Sequence, residues 1–323
     1  MKSYTLPGSW IVQLVVCGLL LVASGSGQAA TKLRFRLAQD YLVVVPVTIN
    51  GAGPFDFILD TGTTTTIVDS KLAADLRLQA ADRLNLVTLA GEKPFPRSWL
   101  QSASVGEATT THLEVVWDDL KEIKAFDKKI RGILGLNFLD GFNYLINYAA
   151  RTIEIGDTSS RISGPRIAVD RTEGKLIITA TAGSTPTRSN ATRPNATFPL
   201  RFGLDSGVTV PVIYTPDSRH VCVRSAGLDS PVGIASTITG TASTATGRIV
   251  ALDIGGHRLS GLEAALMPKV DPESQIEDGV LPTALFRAIY FNNEQGYVVL
   301  NPGIANDSSP RNEGKAKASR PVN

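Results

Sequence analysis

The chain has 323 residues, a net charge of +2 and 43% hydrophobic residues. That length allows two domains of ordinary size, each with its own core. The near balance of charge gives no electrostatic reason to expect nucleic acid or an anionic membrane surface as a partner.

Residues 1–30 read as an export signal. Lys2 supplies the positive start, and Trp10 to Val22 is mostly apolar but short for a bilayer span. The small residues of "SGSGQAA" follow, with cleavage expected after Ala29 or Ala30. The expectation is an exported protein, periplasmic or extracellular, with no stable membrane span once the signal is gone. The alternative is a retained anchor. A lipid on Cys17 is disfavoured because Val16 stands where a small residue belongs. After cleavage Cys222 is the one cysteine remaining, so no internal disulfide is expected, and "RHVCVRS" reads as a buried, inert thiol. Little chain separates the signal from "LRFRLAQDYLVV", which leaves almost no room for a prosegment.

Beyond the signal, glycine, threonine and valine are frequent and long helical patterns are scarce, which predicts an all-β protein with many turns. The chain then repeats itself. A first half over 31–156 and a second over 166–302 are joined by the linker "DTSSRISGP", residues 157–165, and followed by a polar tail over 303–323 expected to be disordered. Each half opens on an apolar strand, "YLVVVPVTING" and "GKLIITATAG". Each then runs an apolar strand into a turn, "FILDTG" and "LRFGLDSG", and continues as "TTTTIVD" or "VTVPVIY". Each carries a glycine followed by apolar residues near its end, in "RGILGLNFL" and "DGVLPTALF"; Gly132 stands 72 positions after Asp60, and Gly279 stands 74 after Asp205. Each closes on an aromatic-rich strand pair, "FNYLINYAARTIEIG" and "AIYFNNEQGYVVLNP". A helix is expected over "PTALFRAIY", opened by its proline. "STPTRSNATRPNAT", residues 184–197, reads as a long polar loop.

Aspartate is depleted in strands and costly to bury unpaired, so its place behind apolar residues twice, in register, needs a reason. A pseudo-twofold axis between the halves would bring Asp60 and Asp205 together. Two touching carboxylates cannot both ionise cheaply, so the pair shares one proton over a wide pH range. The ionised member can then take a proton from water while the other donates to a carbonyl oxygen. Either aspartate can be the base. Gly62 and Gly207 permit tight turns and close approach. The three histidines, His112, His220 and His257, have no ligand spacing, so no metal site is expected. "DIGGHRLSG" lacks the following helix of a phosphate loop, there is no GxSxG elbow, and no cofactor is expected.

Together the two aspartate motifs, the duplication and the glycine-apolar segments resemble the aspartic proteases, pepsin and the retroviral enzymes, over about residues 33–302. The lobes are short for pepsin and look like two fused retropepsin-type units, as in exported bacterial aspartyl proteases. The resemblance implies an all-β, bilobal molecule of closed β-barrel lobes related by pseudo-twofold symmetry, with few short helices. It implies an aspartic endopeptidase acting as a monomer on an extended peptide or protein substrate, with Asp60 and Asp205 as catalytic residues. Thr61 and Ser206 match the hydroxyls that bond across the lobe interface. Gly62 and Gly207 match the turn glycines whose N–H groups face the carboxylates. Thr63 matches the hydroxyl that contacts the outer carboxylate oxygen. Ile133-Leu134-Gly135 matches the segment packed behind the first loop. A substrate-covering flap is expected in "VTLAGEKPFPRSW", residues 87–99, with Leu89, Ala90 and Gly91 at its turn. Thr239 and Gly240 in "STITGTAST" are the second-lobe counterpart. The chain departs from the family at Val208, which lacks Thr63's hydroxyl, at Pro282, where glycine is usual, and in having no flap tyrosine, a place Trp99 could take. The alternative function is a weak or inactive peptide-binding protein of the same fold. A structural cell-envelope protein with β-domains is a further rival.

Overall fold

A computed structural model describes residues 30–88, 91–183, 197–215, 223–225, 233–237, 240–273 and 275–305. Residues 1–29 of the predicted signal, residues 306–323 of the predicted tail, most of the polar loop, Leu89, Ala90, Thr239 and Cys222 lie outside the described residues.

Runs of β-branched residues and turn glycines dictate strands almost everywhere. The strand Leu42–Ile49 turns at Asn50 and Gly51, with φ of 48° and 79°, into Ala52–Leu59. Two successive positive φ values suit an Asn-Gly hairpin turn, whose twist matches that of the flanking strands. Ala52–Leu59 runs parallel to Ile130–Leu134. The latter is antiparallel to Thr66–Asp69, which is parallel to Ala108–Asp118. Ala108–Asp118 pairs with Gly91–Val105, and that strand returns to Leu42–Ile49 through Thr48 opposite Ser104 and Ile49 opposite Ala103. Six strands thus close a ring.

The second half repeats the ring in the same order. Ile177–Gly183 pairs with Thr197–Asp205, which runs parallel to Gly279–Pro282. Val212–Thr215, His257–Pro268 and Gly240–Ile254 follow. Closure comes from Thr181 opposite Asp253 and Ala182 opposite Leu252. The molecule is therefore all-β and two-lobed, and its helices are short: Ser70–Asp75, Lys121–Phe126 and Leu136–Leu139. The helix expected over "PTALFRAIY" does not form. Thr283–Leu285 makes a single 3-10 turn and Ala288–Asn292 is a strand, buried throughout and paired on both sides. Pairing of a run that is apolar on both faces outweighs the weak helical start given by Pro282.

A third sheet joins the lobes. Thr31–Arg34, Thr152–Ile155 and Tyr144–Asn147 come from the first half. Ala288–Asn292, Tyr297–Leu300 and Ile167–Ala168 come from the second. They meet where Tyr144–Asn147 pairs with Ala288–Asn292, and Tyr144 stacks on Phe291 with ring centroids 4.5 Å apart. Gly303 and Ile304, at the head of the predicted tail, pair with Ile162 and Ser163 of the predicted linker. Ile162 and Ile304 pack against the cluster that holds Leu145, Tyr290, Tyr297 and Val299.

Candidate active site

Asp60 follows the last residue of Ala52–Leu59, and its N–H donates to Leu134 O at 3.0 Å. Asp205 ends Thr197–Asp205 beside Pro282. Each carboxylate is held by its own turn. Gly62 N–H donates to Asp60 Oδ1 at 2.8 Å, and Gly207 N–H donates to Asp205 Oδ1 at 2.6 Å. The Thr63 N–H also faces the Asp60 carboxylate and favours its charged form.

The two turns are locked by a crossed set of four hydrogen bonds. Thr61 N–H donates to Ser206 Oγ at 3.0 Å, and Ser206 N–H donates to Thr61 Oγ1 at 3.0 Å. The Thr61 hydroxyl donates to Leu204 O at 2.9 Å, and the Ser206 hydroxyl to Leu59 O at 2.8 Å. Both side chains are buried, so every donor and acceptor in the lock is shielded from water.

This lock brings the aspartates into contact, and their carboxyl groups hydrogen-bond each other. A Cβ placed on Gly62 would lie 2.2 Å from Asp205 Oδ2, and one on Gly207 would lie 2.9 Å from Asp60 Oδ2. Glycine is needed at both turns because the opposite carboxylate occupies the space.

A model of a protein family described as aspartyl protease matches residues 45–138 and 193–285, one segment in each lobe and together more than half of the chain. The chain belongs to the aspartyl protease family. A crystal structure of a retropepsin-like aspartic protease from Rickettsia conorii is similar to this aspartyl protease over 39% of the present chain and 91% of its own, with 16% sequence identity and a TM-score of 0.30. No curated protein matches the chain by sequence.

In this aspartyl protease the two carboxyls titrate as a unit. Burial pushes the Asp60 carboxyl above its ordinary range, against the N–H groups of Gly62 and Thr63 and the bond to Asp205. Asp205 is pushed well above that range, first by burial and then by the negative charge of Asp60. Raised together, the two carboxyls hold one proton between them, and that proton belongs to the pair.

One residue matched to the motif behaves differently from expectation. The Thr63 hydroxyl donates to Thr65 O at 3.3 Å, and only its backbone N–H serves the carboxylate. Short hydroxyl side chains in tight loops commonly bond a main-chain carbonyl a residue or two away, and Thr63 does so here. Behind it the Leu136 N–H donates to Thr63 O and the Asn137 N–H to Thr64 O, while Gly135 packs against the Thr65 backbone.

The expected flap is a hairpin of Asp82–Thr88 and Gly91–Val105, with Thr88 opposite Gly91. Its counterpart pairs Gly233–Thr237 with Gly240–Ile254, and Thr237 stands opposite Gly240. Trp99 is not available to replace a flap tyrosine. Its ring stacks on His112 at 5.9 Å and lies under the Arg97 guanidinium at 5.1 Å.

Three tyrosines outside the motifs feel the pair. Burial raises the phenols of Tyr41 and Tyr148, and the charges of Asp205 and Asp60 raise them further. Tyr214 is raised by burial, then by Glu277 and Asp205. Tyr148 lies in the aromatic-rich closing segment, but nothing in that local pattern aims it at the aspartates. Among the described residues no three of His, Cys, Asp or Glu gather as a metal site, and no helix is long and apolar enough to cross a membrane.

Proposed function

We propose that this aspartyl protease is an endopeptidase that hydrolyses extended peptides lying between its lobes. The observation that carries the reading is the mutual hydrogen bond of Asp60 and Asp205, each on a glycine turn and locked by Thr61 and Ser206. The ionised member of the pair removes a proton from a water held between the two groups. The oxygen of that water attacks the peptide carbonyl carbon, and the protonated member gives its proton to the carbonyl oxygen. The resulting tetrahedral diol collapses as its C–N bond breaks: the amine nitrogen takes the proton from the aspartate that gained it, and one diol hydroxyl returns its proton to the other aspartate, leaving a carboxylic acid and the pair as it began. No covalent enzyme intermediate is required. The substrate backbone pairs with the flap hairpin as an added strand. We place the protein outside the cytoplasm, acting as a monomer.

The test is incubation of the protein with a mixed peptide library from acidic to neutral pH, beside Asp60→Asn and Asp205→Asn. Wild-type protein is expected to cut internal peptide bonds, and each variant to lose at least about 100-fold in rate. Unchanged cleavage in either variant would remove the assigned pair. A second reading, a weak or inactive peptide binder, draws on Val208 and Pro282, which strip a hydroxyl and an N–H from the second loop. Saturable peptide binding without cleavage at any pH would favour it. Sizing of the purified protein by light scattering checks the monomer, and sequencing of its exported form checks the signal.

A further inference from the structure

The turns of the sheet shared by the lobes cross to the opposite halves. Asn293, after Ala288–Asn292, donates its Nδ2–H to Leu139 O at 2.9 Å and to Phe142 O at 2.7 Å. Tyr148 follows Tyr144–Asn147 at the matching place, and its hydroxyl bonds Thr283 Oγ1 at 2.6 Å. Next to it the Ala149 N–H donates to Arg287 O at 3.1 Å. Each turn thus grips the short helical turn that succeeds the glycine-bearing strand of the other half. The two grips differ in kind. Asn293 holds main-chain carbonyls, whereas Tyr148 holds a single side-chain hydroxyl, wholly buried, one residue beyond Pro282. Pro282 in turn lies in register with Asp205.

The second lobe has reason to need such a grip. In the first lobe three N–H groups tie the segment behind the loop to the loop itself. Gly135 donates to Thr66 Oγ1 at 3.2 Å, Leu136 to Thr63 O at 2.9 Å and Asn137 to Thr64 O at 3.2 Å. Pro282, at the place of Gly135, has no N–H. Among the described residues, neither Thr283 nor Ala284 donates its N–H to Val208 or Thr209. The Thr283 hydroxyl is therefore the polar anchor of that segment, and Tyr148, from the other lobe, is the group that satisfies it.

We infer that Tyr148 is a positioning residue: through its bond to Thr283 it fixes the strand Gly279–Pro282, and with it the Asp205 side of the carboxyl pair, in the place of the main-chain ties that the first lobe has and the second lacks. The electrostatics fit this placement, since both aspartates act on the Tyr148 phenol across a buried space. Tyr41 and Tyr214 are the other titratable groups that face the pair, and Glu277, bonded to Lys175, lies beyond Tyr214. The kinetic part of the inference rests on the proposed proteolysis. The positioning part does not.

The variant Tyr148→Phe keeps the ring and its edge contact with Phe35 at 6.1 Å but removes the hydroxyl. Thr283→Val removes the other partner at nearly the same shape, and Thr283→Ser restores a hydroxyl. Two readouts are needed: kcat and KM on a cleaved peptide, and the titration of Asp60 and Asp205 followed by carboxyl-carbon NMR on aspartate-labelled protein. Tyr148→Phe and Thr283→Val are expected each to lower kcat about tenfold with KM little changed, and each to displace the titration of the pair. The double variant should be no worse than either alone, and Thr283→Ser should behave as wild type. If the wild type cuts nothing, the NMR titration still decides: a displaced titration supports the positioning role. Wild-type titration in both Tyr148→Phe and Thr283→Val overturns it, and a loss of thermal stability without that displacement counts as the same refutation, because it marks an ordinary structural bond.

Discussion

Asp205 and Asp60 cost the fold something that other residues must offset. Both carboxyls have pKa values raised in the folded chain, chiefly by burial, and Asp205 also by the charge of Asp60. A raised carboxylate pKa means that the protonated form is favoured by folding. The stability from this source is full below the ordinary aspartate range and is lost as pH rises through the folded values. Asp205→Asn removes the ionisation while leaving Gly62 and Ser206 in place. The variant is therefore expected to be more stable than wild type at neutral pH. The gain should shrink as pH falls and vanish below the ordinary aspartate range, since only there is the wild-type group protonated in both states. Chemical denaturation across that pH series measures it, and an advantage that grows toward acid pH would contradict the assigned shift. The crossed pair Thr61 and Ser206 is the residue-scale feature that holds this costly contact together, with each hydroxyl both donating to the opposite lobe and accepting from it.

At the scale of elements, the glycine of each glycine-apolar segment has the same task in both lobes. Gly132 stands opposite Phe57 on one side and Val68 on the other, and Gly279 stands opposite Phe202 and Ile213. The rings of Phe57 and Phe202, both fully buried, lean over the glycine of the neighbouring strand. A Cβ at Gly132 would fall 2.1 Å from Phe57 Cε1, and one at Gly279 would fall 2.1 Å from Val212 O, a main-chain atom. Gly279→Ala should thus force the ring of strands in the second lobe apart, at about 1–3 kcal/mol. Its denaturant midpoint should drop with little change in slope, and an unchanged midpoint would show that the strand has room to spare. The absence of a helix after Pro282 belongs to this scale too. Ala288–Asn292 is the strand on which the shared sheet crosses from one half to the other, so a helix there would cost the sheet its central pairing.

Across the whole molecule the two lobes share one interior. A single apolar cluster runs from Phe35 and Val43 in the first half to Ile289 and Leu300 in the second. The six-stranded sheet alternates neither core nor lobe; three of its strands come from each half. Buried charge also stitches remote segments together, as where Glu154 pairs with Lys32 at 2.7 Å and with Arg161, or where Asp69 receives Arg131 at 3.0 Å. The shared cluster and the joint sheet predict that the protein unfolds in one transition rather than lobe by lobe. Calorimetry should return equal calorimetric and van't Hoff enthalpies, and two resolved transitions would show that the lobes are independent.

The duplication made much of this legible in the chain alone. An aspartate behind apolar residues, a glycine two places on and a glycine-apolar segment some seventy residues later form a local pattern, and its recurrence announces two like lobes with their aspartates facing. The carboxylate turns at Gly62 and Gly207 and the hairpin at Gly91 are of this short-range kind, set by backbone sterics within a few residues. The tertiary structure alone decided the rest. Thr63 turned its hydroxyl to the Thr65 carbonyl, a bond set by how the loop folds over itself. The aromatic closing strands became a joint sheet only because each half supplies the other's missing edge partner. Tyr148 and Thr283 are 135 positions apart, and no periodicity or turn signal links residues at such separation. Their meeting follows from the pseudo-twofold packing of two buried sheets, which sequence-local forces do not encode.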